Sequence, residues 1–184
     1  MGFNAKKAAQ TIIYFALKNN SEPLDKIKAV KLVYLADRES ITRFGFPIQD
    51  EQHVSMKHGP VNSNTYSYMN GEHQNGWQEV LEARENHQIG LANPDVAVDD
   101  LDELSEADLQ VLDAVWERFG AMGKWVIRDW THDQKNVPEW EDPNGSSFPI
   151  PMSRIMSFLG IENADQQVET IADFNKIDDL FAAL

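Results

Sequence analysis

Cysteine is absent from this 184-residue chain. Disulfides, thiol nucleophiles and cysteine-ligated zinc are thereby excluded, and a reducing cytoplasm is the expected setting. No apolar run reaches the roughly 18 residues that a membrane-spanning helix needs. HExxH, P-loop, GxSxG and GxGxxG patterns are also missing, which removes the reaction classes those motifs mark. There are no internal repeats and no low-complexity segment. Positive charge is scarce, with 16 Lys and Arg against 30 Asp and Glu, a net charge of −14.

The charge is unevenly placed. Residues 1–92 hold ten acids and ten bases, so residues 93–184, with twenty acids and six bases, carry the whole imbalance. Such a field repels nucleic acid and attracts basic surfaces. It serves solubility, or it serves a basic partner. Apolar residues make up 42% of the chain, including nine Phe, five Trp and four Tyr, enough for a core.

The opening "NAKKAAQTIIYFALKNN" has apolar residues at helical spacing and no small-residue cleavage site, so it reads as a folded helix and not a signal peptide. A second helix follows, with Ser21 as cap, Pro23 in its first turn and Gly45 as its stop. Leu24, Ile27, Val30, Tyr34 and Ile41 lie along its inner face, widened by Leu32 and Leu35. In "HVSMKHGP" the period changes to two, with Val54, Met56 and His58 on one side and His53, Ser55 and Lys57 on the other, a short strand. "WQEVLEARENHQIGLAN" suggests a hairpin, and "LSEADLQVLDAVWERFG" a helix capped by Ser105 and Asp108. "GKWVIRDWTH" and "MSRIMSFLGI" read as shorter helices. The tail places Val168, Ile171, Phe174, Ile177, Leu180, Phe181 and Leu184 at helical spacing.

The corner His58-Gly59-Pro60 poses a question of its own. Proline suits the first position of a helix because its ring presets φ and it has no N–H to leave unpaired. Gly59 is therefore expected as the cap and Pro60 as the start of a helix of about three turns. Glycine brings no side-chain oxygen, so the N–H groups of Val61, Asn62 and Ser63 need another acceptor. Water is one, and a carboxylate from elsewhere in the fold or from a partner is another.

Residues 31–71 contain Lys-Leu-x-Tyr-Leu-Ala-Asp, a Gly-x-Pro-Ile turn and His-Gly-Pro-Val. Farther on, "LSEADLQVLDAVWERFG" precedes "RDWTHDQKNVPEW". In this order the two blocks resemble the Panacea domain of SocA-like antitoxins, over about residues 5–160. The resemblance implies a mainly helical fold with a small β element. It also implies an antitoxin, of a kind frequent in prophages and mobile elements, that binds a cognate toxin protein. One type also delivers its toxin to a Clp-type protease, which makes a proteolytic adaptor the alternative. No additional helix-turn-helix is evident for binding DNA, and the acidic second half makes nucleic acid an unfavourable partner.

The expected fold is thus mainly α (α+β), with a short hairpin or small sheet around the Gly-Pro corner. Residues 1–160 would form the antitoxin domain and residues 161–184 a helix packed on it. Partner contacts are assigned to Lys31, Tyr34, Asp37, His58, Gly59, Pro60, Tyr66, Trp125, His132 and Trp140. Most of these have plainer roles to weigh. Tyr34 would be core, Asp37 a surface pair with Arg38 or an anchor for the following strand, and His58 semi-buried. Trp125, Trp130 and Trp140 would be packing residues, although Trp also dominates partner contacts. Lys26, Lys28 and Lys31 would form a solvated basic stripe. Asp129 and His132, three apart on a helix, could serve a small hydrolase, but no serine or threonine is placed as nucleophile. Their plainer role is a hydrogen bond that orients His132. His53 and His58, on opposite sides of a strand, cannot share a metal; neither metal nor cofactor is expected.

Overall fold

The structure is a computed structural model that describes residues 2–73 and 76–182; Leu184 lies outside them. It is α+β, with eight α-helices and two three-stranded antiparallel sheets among the described residues. In chain order these are α1 (Ala5–Lys18), β1 (Leu24–Asp25), α2 (Lys26–Phe44), β2 (His53–Met56), β3 (Gly59–Asn62), α3 (Ser63–Met69) and α4 (Trp77–Val80). There follow β4 (Leu81–Arg84), β5 (Gln88–Leu91), α5 (Glu106–Phe119), α6 (Lys124–His132), β6 (Phe148–Ile150), α7 (Met152–Phe158) and α8 (Ala164–Ala182). None of the described helices is long and apolar enough to cross a membrane.

Helix α2 is the axis of the fold. Every residue from Ala29 to Asp37 is buried, because α5 and α6 pack on it from one side and β3 and α1 from others. Its apolar positions therefore go beyond one stripe. Full burial of a Val or Leu side chain stabilises the fold by roughly 1.5–3 kcal/mol, so Leu32, Val33 and Leu35, all at most 3% exposed, bind the layers together. Gly45 closes the helix at φ +78°, its N–H donating to Ile41 O at 2.9 Å. The helix begins later than Ser21 and Pro23 suggest. Leu24 and Asp25 pair with Ile89 and Gln88, and this strand pairing keeps the chain extended up to Lys26.

The cap of α5 forms as read from the sequence. Ser105 Oγ accepts from Asp108 N at 3.1 Å, and Asp108 Oδ2 accepts from Ser105 N at 2.9 Å. The expected hairpin around Glu85 and Asn86 is also present as β4 and β5, joined to β1 in the order β1-β5-β4.

The second sheet corrects the Gly-Pro corner. β2 and β3 form a hairpin whose register pairs Val54 with Val61 and Met56 with Gly59, and β6 completes the order β3-β2-β6. Gly59 and Pro60 are thus strand residues and not a helix start. Proline is tolerated because β3 is an edge strand, where a missing N–H breaks no ladder bond. Helix α3 begins only at Ser63 and is shorter than expected. The alternation holds over residues 53–56, but the deeply buried side is that of His53 and Ser55, at 2% and 0% exposure, and Lys57 lies exposed in the turn. His58 lies exposed in the turn between the strands.

Helix α8 packs its first half: Val168 and Ile171 lie on the cluster of Ile155 and Met156, and Gln167 Nε2 donates to Gly45 O at 3.1 Å. Beyond that, Phe174, Ile177, Leu180 and Phe181 are exposed, although Phe174 meets Phe46 edge-on at 6.0 Å.

Candidate binding site

Lys31, Tyr34 and Asp37 stand three residues apart on α2, a spacing that puts them on neighbouring turns of one face. All three are at most 1% exposed. Burying polar groups this deeply is tolerated only if each finds a partner, and the partners tie three remote segments to the helix. Asp37 Oδ1 accepts from the backbone N–H groups of Ile48 and Gln49, both at 2.9 Å. Its Oδ2 accepts from Asn62 Nδ2 at 2.7 Å and faces His53 Nε2 at 2.9 Å. A carboxylate only accepts, so that nitrogen of His53 carries the hydrogen. Asp37 is thus the anchor of both hairpin strands, and not a surface pair with Arg38.

Tyr34 donates to Glu139 Oε1 at 2.7 Å, and Arg38 Nε lies 2.7 Å from the same oxygen. Burial, then the Glu139 charge, pushes the Tyr34 hydroxyl well above its ordinary range. The hydroxyl is satisfied, as read, but by a residue over a hundred positions away. Lys31 departs most from its expected place on a solvated stripe. Its Nζ donates to Pro60 O at 2.8 Å inside the fold, and burial lowers its pKa well below the usual lysine value.

The corner is braced from behind as well. The ring of His132 lies 4.6 Å from that of Trp140, and Nε2 donates to Lys57 O at 3.1 Å. Trp140 Nε1 donates to Met56 O at 3.2 Å. Burial, followed by the Lys31 charge, lowers the His132 pKa. Asp129 makes no hydrogen bond to His132; its Oδ1 is held by Arg128 Nη2 at 2.5 Å. The dyad that hydrolysis would require, and the orienting bond expected in its place, are both replaced by the Lys57 carbonyl.

Gly59 has φ +91°. A Cβ at this position would sit 2.9 Å from both Lys31 Nζ and Thr131 Oγ1, so glycine is required for conformation and for space. The question of the helix cap resolves with Glu51. Its Oε2 accepts from Thr65 N at 2.9 Å and its Oε1 from Thr65 Oγ1 at 2.5 Å, while Ser63 N donates to Gln52 O at 2.8 Å. Of the groups in question, Ser63 N thus finds the Gln52 backbone carbonyl, while the Glu51 carboxylate, from earlier in the fold, serves Thr65 in the first turn of α3.

In front of this braced hairpin lies a cavity of about 380 Å³. Lys31, His58, Gly59, Tyr66 and Trp125 line it. Five of the ten assigned residues therefore meet at one concavity. Pro60 supplies the carbonyl that holds Lys31, whereas Tyr34, Asp37, His132 and Trp140 support the hairpin from other sides. Trp125, 51% exposed, stands at the mouth with the Arg128 guanidinium 4.7 Å and Lys124 Nζ 5.8 Å from its ring. Sequence reading left out Glu51, Asn62 and Glu139, and also the cavity walls Val30, Met56 and Met69. Glu139 could have been noticed as an acid between Pro138 and Trp140 in an otherwise matching block.

A buried polar ladder thus fixes the hairpin behind the concavity. The sequence profile of the Panacea domain of SocA-like antitoxins matches residues 30–141, and the chain belongs to that family. The matched span runs from α2 to the segment that carries Glu139 and Trp140, so it contains the whole ladder. No curated protein and no solved structure matches the chain.

Proposed function

We propose that this protein is a cytoplasmic antitoxin that neutralises a cognate toxin protein by direct contact, without catalysis. The observation that carries the reading is the family match over residues 30–141. The geometry supports it: the polar residues of the signature serve to hold a shape, and Asp129 and His132 do not engage each other. The contact surface is proposed to be the cavity face, with Lys57, His58, Tyr66 and Trp125 touching the toxin. Tyr34, Asp37, His132 and Trp140 act by positioning that face.

The test is expression of the neighbouring co-transcribed gene in cells with and without this protein. Growth arrest by the neighbour alone, rescue by co-expression and co-purification of the two chains are expected. Rescue with no physical association would overturn neutralisation by contact.

A further inference from the structure

Lys31 has donor capacity that the fold does not use. It is 1% exposed, and among the described residues it makes one hydrogen bond, to Pro60 O, and no ion pair. An ammonium can donate more than one hydrogen bond. Burial without a counter-charge disfavours the charged form of Lys31, and Lys31 lines the cavity, where an incoming carboxylate would restore that charge. The walls around it are apolar: Val30, Met56, Val61, Met69 and the rings of Tyr66 and Trp125. Besides Asn70, the polar side chains of the lining are mostly basic, namely Lys26, Lys57, His58, His87 and Lys124. Asp25, the one acid among the lining residues, is engaged by Lys124 Nζ at 2.7 Å. In a chain of net charge −14, this is a local reversal of sign.

We infer that the cavity binds an amphipathic carboxylate, its apolar body against Val30, Val61, Met69 and Trp125 and its carboxylate on Lys31 Nζ. The volume of about 380 Å³ falls within the range of small-ligand sites, about 300–1,000 Å³. Charge-assisted bonds of this kind are the strong ones, and the carboxylate would supply the counter-charge that the fold withholds. Two sources present this chemistry: a free organic acid, or the C-terminal residue of a polypeptide such as the toxin. The inference rests on the reading above only in placing the contact at this cavity.

The purified full chain is titrated calorimetrically with octanoate, with octanol as its neutral counterpart, and with N-acetyl-Phe-Leu as free acid and as C-terminal amide. At least one acid should bind about tenfold or more tightly than its neutral counterpart. Preference for octanoate marks a free acid as the source, and preference for the peptide acid marks a chain terminus. Lys31→Met should remove that preference while leaving the affinity for the neutral compound unchanged, which also shows that the cavity still forms. Lys57→Glu, on the exposed rim, should weaken acid binding several-fold with no burden on folding. Equal affinity for acids and neutral compounds, or full acid preference in Lys31→Met, would overturn the inference. A chain that protects cells yet shows no acid preference would refute this inference and leave the antitoxin reading standing. Acid binding without protection would do the reverse.

Discussion

Lys31 and Gly59 meet across the cavity floor, and each constrains what the other position can hold. Gly59→Val adds strain at φ +91° and drives atoms into Lys31 Nζ and Thr131 Oγ1. The expected loss is about 1–3 kcal/mol from backbone strain alone, read as a lower midpoint in denaturant; an unchanged midpoint would contradict the positive φ. Lys31 has a depressed pKa because burial disfavours its charged form. Below the ordinary value of 10.5 the unfolded chain binds this proton more firmly than the folded chain does. The linked stability is therefore complete above that value and is lost as the pH falls through the folded pKa. Relative to Lys31→Met, the wild type should gain stability as the pH rises toward that ordinary value, and parallel stability curves for the two proteins would refute the assignment. Neither burial was visible in sequence. Lys26, Lys28 and Lys31 look alike as letters, and only the packing of β3 on α2 separates the last from the others.

At the scale of elements, local signals were legible and remote ones were not. The box of Ser105 and Asp108, the stop at Gly45 and the hairpin from Leu81 to Leu91 are written within a few residues, and all form. The start of α2 and the nature of Gly59-Pro60 were misread because strand partners decide them: Ile89 and Gln88 for the first, β2 for the second. Proline at a helix start and proline in an edge strand look identical until the pairing is known. Glu51 illustrates the same limit from the other side, since it caps α3 from twelve residues before the helix. Burial raises its pKa, opposed by the bonds from Thr65. Glu51→Ala should leave the buried Thr65 N–H and hydroxyl without their acceptor, at about 1–3 kcal/mol, with α3 losing protection from hydrogen exchange first. Protection equal to wild type would mean that another group takes over the cap.

Taken as a whole molecule, the acidic second half is partly neutralised by the first. Lys6 pairs with Asp102, Lys7 with Asp108, Lys18 with Asp113 and Arg38 with Glu139. These contacts draw α1 and α2 toward the segment that carries the charge, and leave acids such as Glu162, Asp165 and Glu169 exposed. The uncompensated field should steer a basic toxin toward the protein. Exposed charges are screened beyond about 8 Å at physiological salt, so association with the toxin is expected to slow as salt rises while dissociation changes little. An association rate indifferent to salt would leave the acidity as a matter of solubility.

Neutralisation by contact differs from neutralisation by chemistry in its stoichiometry. The direct measurement is the activity of the purified toxin titrated with the purified protein. Activity should fall in proportion to the protein added and vanish at a fixed molar ratio, with active, unaltered toxin recovered when the complex is dissociated. Loss of activity at far below stoichiometric amounts, or recovery of a covalently altered toxin, would contradict an antitoxin that acts by binding.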